Sequence, residues 1–210
     1  MYELYLVTDE KASLGRSIID VVRQAVKGGV TIVQLREKEL DTRQFIERAS
    51  ELQKILKPHN IPLIINDRID IALAVNADGV HIGQKDMPFD LVKRIIPGNM
   101  IVGLSVETIE QLREAESLPA DYIAVSPVFS TPVKTDFDQK PWGLEGLAEA
   151  RKLTKHTIVA IGGVNASNAR NIIRAGADGI AVVSGICSAD DPEAASRELI
   201  NIVKNTKSGK

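Results

Sequence analysis

The chain has 210 residues, of which 44% are hydrophobic, and its formal net charge is −2. This length and apolar content suit one globular domain with a sizeable core. The small net charge provides no positive electrostatic field that would attract nucleic acid, so we expect no nucleic-acid partner. No apolar stretch reaches the roughly 18 residues of a membrane span, so we expect no membrane partner either.

Two further features bear on the compartment and the assembly. Cys187 is the single cysteine, which excludes an internal disulfide framework and a cysteine-rich metal site. The first apolar run begins at Leu4, with no signal peptide before it, so we expect a cytoplasmic protein. The sequence leaves the oligomeric state open and is compatible with a homo-oligomer.

Short apolar runs recur along the chain, separated by longer segments with helical periodicity. Such runs are typical of buried parallel strands. The predicted strands are marked by Leu4, Ile32, Leu63, Val80, Ile101, Ile123, Ile158 and Ile180. Nearly every run ends in polar or glycine residues, and these should meet because the carboxyl ends of parallel strands share one rim.

Clear start signals place two of the helices between the runs. Asp41 and Gln44 form a capping box that opens a helix over residues 42–56. Asn165 can cap a second helix over residues 166–175, which Gly176 closes.

The C-terminal segment is predicted to be a helix followed by a tail. Asp191, with Pro192 at the first helical position, opens a helix that runs through about Val203. Residues 204–210 are predicted to be a frayed tail, so the core of the domain should span about residues 2–203.

An internal repeat supports one closed architecture. The segments GGVTIVQL, NADGVHIG, PADYIAVS and GADGIAVV each combine a helix stop with a strand start, and they mark alternate strands. Eight strand-helix units then fill residues 1–210, which predicts a single-domain (β/α)₈ TIM barrel of the α/β class. The alternative is an open doubly wound sheet, which would usually carry a glycine-rich dinucleotide turn after its first strand; YLVTDEKAS has none.

Polar residues along the second strand are candidates for binding a diphosphate. Gln34, Arg36 and Lys38 are spaced two apart, so their side chains share one face. Arg36 offers a planar fork of donors and Lys38 a point charge. A solvated surface strand is the alternative, but it fits poorly because the strands of a TIM barrel are covered by helices.

Two acidic residues near neighbouring strand ends are candidates for a metal site. Asp67 follows the third strand and Asp86 lies just past the fourth. Mg²⁺ typically takes one or two protein carboxylates and completes its shell with water and phosphate oxygens, so we expect one Mg²⁺ here. The alternative is that both aspartates cap the following helices.

The last two strands end in residues suited to a phosphate group. Gly162 and Gly163 follow the seventh strand, and Val183 and Ser184 follow the eighth. These loops form the recurrent phosphate site of TIM barrels, where backbone amides receive the anion. Alternatively, the glycines serve only close packing.

The long connection over residues 130–142 is a candidate lid, and its Lys134 could fold over an anionic substrate or be an ordinary solvated lysine. Three histidines and the cysteine are not expected to be catalytic. His59 and His156 precede strands, on the wrong side of the barrel. His81 lies within the fourth strand, where it either faces the substrate cavity or packs, and packing is favoured. Cys187 is interpreted as a small buried apolar group.

The ordered motifs VQLREK, INDR, GVHIGQKD, GLS, PVFSTPVK, IGGV and GIAVVS resemble those of the thiamine phosphate synthase family, over Tyr2 to about Val203. That family joins 4-amino-2-methyl-5-hydroxymethylpyrimidine diphosphate to 4-methyl-5-hydroxyethylthiazole phosphate. Diphosphate is released and thiamine phosphate is formed.

The resemblance also implies roles for individual residues. The pyrimidine diphosphate would be held by Gln34, Leu35, Arg36, Glu37, Lys38, Asn66, Ser105 and Lys134. The thiazole phosphate would contact Thr131, Pro132, Val133, Gly163, Val183 and Ser184, and Mg²⁺ would bind Asp67 and Asp86. Arg36, Lys38 and Lys134 would be catalytic. Many members have threonine immediately before the lysine, whereas this chain has Val133 and therefore lacks that hydroxyl.

The mechanism implied by the resemblance needs no strong base. The diphosphate leaves first, the electron-rich aminopyrimidine stabilises a methylene cation, and the unprotonated thiazole nitrogen attacks it. Catalysis then consists of neutralising the leaving group and holding the two rings in line.

Three other functions remain open. A related thiazole tautomerase would use a histidine near the end of the sixth strand, where this chain has Ser126 and Pro127. A sugar-phosphate epimerase or aldolase would explain the phosphate loops but not the two aspartates. A silent binding module would retain thiazole phosphate without turnover.

Overall fold

The computed structural model describes residues 1–131 and 140–209. Within them, parallel strands form a closed barrel in chain order. The strands are β1 Leu4–Val7, β2 Ile32–Leu35, β3 Leu63–Asn66, β4 Gly79–Ile82, β5 Ile101–Val106, β6 Tyr122–Val125, β7 Ile158–Ile161 and β8 Gly179–Val182. β1 closes the barrel by pairing with β8, from Leu4 opposite Ile180 to Leu6 opposite Val182. The predicted TIM barrel is confirmed, and the open doubly wound alternative is wrong.

Helices follow the strands around the barrel. They are α1 Ile18–Gly28, α2 Thr42–Leu56, α3 Ile69–Ala74, α4 Phe89–Ile95, α5 Ile109–Ala115, α6 Gly143–Leu153, α7 Ala166–Arg174, α8 Ser184–Cys187 and α9 Pro192–Ser208. A 3₁₀ turn at Lys57–His59 follows α2. None of the helices in the described part of the chain is both long and apolar enough to cross a membrane.

The predicted helix starts at α2 and α7 are confirmed by their caps. The side chain of Asp41 accepts a hydrogen bond from the Gln44 amide, and the Gln44 side chain accepts one from the Asp41 amide. Asn165 and Asn168 form the same reciprocal arrangement at α7. These caps satisfy donors that the first helical turn leaves without a partner.

The prediction of a frayed tail from residue 204 is wrong. Helix α9 continues to Ser208 and packs against α1 and α7. Val203 and Thr206 are both buried, and the Thr206 hydroxyl donates to the carbonyl of Ile202 at 2.6 Å. The helix continues because the inner face of its last turns still packs against neighbouring helices. The polar composition of residues 204–210 gives no sign of this packing.

The core has two parts because strand side chains alternate between the two faces of the barrel wall. Leu4 and Leu6 point outward into the layer between strands and helices. Tyr5 and Val7 point inward, as do Ile32, Ile64, Tyr122, Ala124, Val159 and Ala181. The barrel is therefore filled at its centre, and its open mouth lies at the carboxyl ends of the strands.

Candidate active site

A cavity of about 220 Å³ occupies the mouth of the barrel and receives residues from every strand or the loop after it. The predicted site residues that line it are Gln34, Arg36, Lys38, Asn66, Asp67, Asp86, Ser105, Thr131, Gly163, Val183 and Ser184. The structure thus brings together residues that lie far apart in the sequence. Their binding roles stay predictions.

Some predicted residues do not contribute side chains to this cavity. Leu35 is fully buried in the layer between strands and helices. Glu37 pairs with Arg48 at 2.7 Å. Both point away from the cavity because they alternate with Gln34 and Arg36. The prediction is corrected accordingly: neither side chain is placed to contact a substrate in the cavity. Pro132, Val133 and Lys134 lie outside the described residues.

The Arg36 guanidinium is held by Asp9, which follows the first strand. This contact was not predicted from the sequence. Nη1 of Arg36 contacts Oδ2 of Asp9 at 2.7 Å, and both side chains are largely buried. The Arg36 amide also donates to Oγ1 of Thr8 at 3.1 Å, and Asp9 Oδ1 accepts from the amide of Ala12 at 2.9 Å. Asp9 follows a strand as Asp67 does. It could therefore have been identified in the same way, because the carboxyl ends of parallel strands meet at one edge of the barrel.

Lys38 and Asp67 form the second ion pair at the mouth, with 2.6 Å between Nζ and Oδ2. Asp67 has a φ of +61°, in the left-handed region that non-glycine residues rarely adopt. Its amide donates to the carbonyl of His81 at 2.9 Å, which helps to hold this conformation. Such backbone strain costs roughly 1–3 kcal/mol and clusters at functional sites.

Asp67 and Asp86 line the same cavity, and each carboxyl group shifts the pKa of the other. Burial acts to raise the pKa of Asp67, but hydrogen bonds from Lys38 and Asp86 outweigh it and hold that pKa below its usual range. Burial raises the pKa of Asp86, and the neighbouring Asp67 carboxylate raises it further. Two acids whose pKa values are pushed apart in this way favour the sharing of one proton, or of one cation in its place.

The capping alternative for these aspartates is wrong. The N-cap positions of α3 and α4 are Arg68 and Pro88, and neither helix start has a side-chain cap among the described residues. Asp86 instead accepts a hydrogen bond from the amide of Gly83 at 2.7 Å, which closes the turn after β4. Within the same ranges, no group of three or more histidine, cysteine or acidic side chains could hold a metal ion, so Asp67 and Asp86 stand as a pair.

The glycines after β7 have a packing role, as the alternative interpretation required. Gly162 and Gly163 both have positive φ values, of 103° and 64°. A Cβ atom would lie 2.6 Å from Pro127 at the first and 2.8 Å from Phe129 at the second. The loop after β6 therefore lies directly against the loop after β7. This close approach leaves backbone exposed at the mouth and is compatible with phosphate binding at Gly163.

Of the two alternatives for His81, the favoured one, packing, is wrong, because the residue lines the cavity. Its Nδ1 lies 2.9 Å from the Tyr122 hydroxyl, and its Nε2 lies 2.8 Å from Oγ of Ser105. The alternation of β4, with Val80 and Ile82 facing the helices, could have placed His81 inside. Other lining residues that were missed are Tyr5, Gln84, Lys85, Glu107 and Tyr122.

The interpretations of the other two histidines and the cysteine agree with the structure. His59 is exposed in the turn before β3, and His156 precedes β7, where its Nδ1 lies 3.1 Å from the carbonyl oxygen of Ala120. Cys187 is buried, and its thiol donates to the carbonyl of Val7 at 3.8 Å. Burial raises the pKa of this thiol to about 11, so it is a poor nucleophile near neutral pH.

Comparison with known proteins agrees with the fold and the motif order. The family model described as thiamine monophosphate synthase matches residues 4–186. A thiamine-phosphate synthase from Albidiferax ferrireducens is 54% identical over 203 residues, covering 95% of this chain and 92% of the relative. One from Vibrio campbellii is 53% identical, covering 97% and 98%.

A solved structure gives the same result. The thiamine phosphate pyrophosphorylase from Pyrococcus furiosus superposes with a TM-score of 0.89 at 38% identity, covering 98% of this chain and 96% of that one. Its fold is therefore the same along nearly the whole length. The family model, the two relatives and this structural match agree, and the chain belongs to the thiamine monophosphate synthase family.

Proposed function

We propose that this chain is a thiamine-phosphate synthase, a cytoplasmic transferase of thiamine biosynthesis. It joins 4-amino-2-methyl-5-hydroxymethylpyrimidine diphosphate to 4-methyl-5-hydroxyethylthiazole phosphate and releases diphosphate. The names of the relatives support the activity. The observation that carries the chemistry is one cavity that combines the cations of Arg36 and Lys38, the carboxylates of Asp67 and Asp86, and the loops after β7 and β8.

Arg36 and Lys38 bind the diphosphate in this proposal. Each already contacts one carboxylate, Asp9 for Arg36 and Asp67 for Lys38. The guanidinium has five N–H donors, so Arg36 can keep Asp9 and still donate to phosphate oxygens. Lys38 is half-exposed and has three donors, which lets it turn toward an anion in the cavity. Lys134 is proposed as a third cation.

Asp67 and Asp86 would hold Mg²⁺. The donor set fits this ion, because two neighbouring carboxylates that act on each other's pKa need a cation when both are ionised, and Mg²⁺ takes its remaining ligands from water and phosphate. When bound, Mg²⁺ would neutralise charge on the departing diphosphate. Lys38 contacts the same carboxylate, so it places a second positive charge beside that position.

The thiazole phosphate would lie on the opposite side of the mouth, against Thr131, Gly163, Val183 and Ser184. Asn168 donates to the carbonyl of Gly163 at 2.8 Å and so fixes the loop after β7. This arrangement leaves the thiazole ring directed toward the centre of the cavity, where the pyrimidine methylene group would be.

The reaction is proposed to be dissociative. The bond between the pyrimidine methylene carbon and the diphosphate oxygen breaks, and its electron pair leaves with the oxygen. The aminopyrimidine ring delocalises the positive charge, and the lone pair of the thiazole nitrogen then forms the new carbon–nitrogen bond. Arg36 and Lys38 stabilise the charge that develops on the leaving oxygen. No proton moves, so the residues do not need to supply a base.

Diphosphate release on mixing both substrates with Mg²⁺ tests the proposal. We expect diphosphate and thiamine phosphate to appear in equal amounts, and each single-substrate mixture serves as a control. Isomerisation of a thiazole substrate without the pyrimidine would indicate a tautomerase instead. Binding of thiazole phosphate without any product would indicate a binding module, and either result would contradict the proposed synthase.

A further inference from the structure

A continuous chain of polar side chains crosses the interior of the barrel below the mouth. Nε2 of Gln34 donates to the Tyr5 hydroxyl at 3.0 Å, and that hydroxyl lies 2.8 Å from the hydroxyl of Tyr122. The Tyr122 hydroxyl lies 2.9 Å from Nδ1 of His81, whose Nε2 lies 2.8 Å from Oγ of Ser105. All five residues line the cavity, with Gln34 and Ser105 at the two ends of the chain.

These groups are enclosed by the barrel. Tyr5 and Tyr122 are at most 1% exposed, and Gln34 and His81 are below 10%. Space for the Tyr122 ring depends on a glycine in β5, because a Cβ atom on Gly103 would lie 2.0 Å from Cζ of Tyr122. Hydrogen bonds between such buried groups are strong and polarise one another, so the chain should act as a unit.

Both phenols retain their protons near neutral pH, because burial raises the pKa of Tyr5 and of Tyr122. Each phenol can therefore donate one hydrogen bond along the chain while it accepts another. A neutral imidazole likewise donates from one nitrogen and accepts at the other. It follows that the direction of one hydrogen bond sets the direction of all the others.

The direction is given at the Gln34 end, where the amide nitrogen donates to Tyr5. With that start, Tyr5 donates to Tyr122, and Tyr122 donates to Nδ1 of a neutral His81. The imidazole proton then lies on Nε2 and is donated to Ser105. The amide oxygen of Gln34 and the hydroxyl proton of Ser105 are left to the cavity.

We propose that Tyr5 and Tyr122 are positioning residues, which relay the hydrogen-bond direction set by the Gln34 amide across the barrel and thereby fix the tautomer of His81 and the proton that Ser105 presents to the cavity. The ligand this arrangement recognises has an N–H donor and a separate acceptor, as an aminopyrimidine ring does. That identification of the ligand rests on the proposed function. The opposite direction would present a donor at Gln34 and an acceptor at Ser105, and would mismatch both groups.

The tautomer of His81 tests the relay in protein without substrate. Nitrogen-15 NMR of the imidazole, at mildly alkaline pH, should show the proton on Nε2 in the unaltered chain. Gln34→Glu replaces the amide donor by an acceptor, so Tyr5 must donate to it and every bond reverses. The proton on His81 should then move to Nδ1, although position 34 does not contact the imidazole in the chain of bonds described.

Three controls isolate the relay. His81→Asn identifies the signal among the three histidines. Tyr2→Phe removes a hydroxyl from the ring that packs on Tyr122 at 4.9 Å between centroids, outside the chain of bonds, and should leave the tautomer unchanged. Tyr5→Phe combined with Gln34→Glu should give the same spectrum as Tyr5→Phe alone, because the link is broken.

An Nδ1 proton in the unaltered chain, or an unchanged tautomer in Gln34→Glu, would overturn the proposal. If Gln34→Glu fails to fold, Tyr5→Phe decides instead: the single tautomer should be lost, and its persistence would refute the relay. With substrates, Tyr5→Phe should raise KM for the pyrimidine diphosphate about tenfold, as expected for one misdirected buried hydrogen bond. If the unaltered chain makes no thiamine phosphate, the proposed function fails, while the substrate-free spectra still decide the relay.

Discussion

Individual charged residues at the mouth are held by partners before any substrate binds. Arg36 contacts Asp9 and Lys38 contacts Asp67. A cation that already has a fixed partner loses less conformational freedom when it meets a diphosphate. The site is therefore pre-organised through carboxylates.

Asp9→Asn should impair the reaction through Arg36. Loss of the charge weakens the contact that fixes the guanidinium, so we expect kcat/KM to fall about tenfold. Steady-state kinetics would measure it, with Asp20→Asn as the matched control, because Asp20 pairs with Arg23 on the exposed surface of α1. Equal losses of kcat/KM in Asp9→Asn and Asp20→Asn would contradict a role for Asp9 in the site.

Gly103→Ala should destabilise the barrel interior. The added methyl group would overlap the ring of Tyr122, and overpacking of this kind costs roughly 1–3 kcal/mol or more. Urea unfolding would show a lower midpoint. Gly98→Ala has open space around its Cβ and should leave the midpoint nearly unchanged, so similar shifts in both variants would contradict the packing argument.

How far single residues could be predicted depends on what fixes them. The convergence of Asp67 and Asp86 follows from strand order, which the apolar runs reveal. The pairing of Arg36 with Asp9 depends on side-chain rotamers and on loop geometry, which periodicity does not contain. The alternation along β4 is enough to place His81 inside the barrel. It does not distinguish packing from a place in the cavity, because a lone histidine among apolar residues is ambiguous.

At the level of elements, helix starts were easier to predict than helix ends. Asp41 and Asn165 cap their helices as predicted, because a side chain must satisfy the free amides at that point. Helix α9 has no comparable stop near Val203. Its end depends on the neighbouring helices α1 and α7, which no local signal describes.

Truncation of α9 tests this interpretation. A chain that ends after Val203 loses buried Thr206 and the ion pair of Lys207 with Glu3, so its stability should fall by about 1 kcal/mol or more. Thermal unfolding would detect the change. A chain that ends after Ser208 should match the full-length protein, and a frayed tail would make both truncations neutral.

At the scale of the whole molecule, closure of the barrel creates the site. The strands follow one another in order, and β1 pairs with β8, so residues from all eight strands or the loops after them line one cavity. The repeated helix-stop and strand-start segments made this architecture predictable. The sequence could not reveal the hydrogen-bonded interior from Gln34 to Ser105, because it depends on which inward side chains reach across the barrel.

The Mg²⁺ dependence of diphosphate release tests the central claim most directly, that Asp67 and Asp86 jointly hold the ion that assists the departing group. Release is measured over a Mg²⁺ titration for the unaltered chain, Asp67→Asn, Asp86→Asn and the exposed control Asp90→Asn. Loss of either ligand should lower the rate at limiting Mg²⁺ by about a hundredfold, while the control should match the unaltered chain. Identical Mg²⁺ dependence in all four proteins would contradict the account.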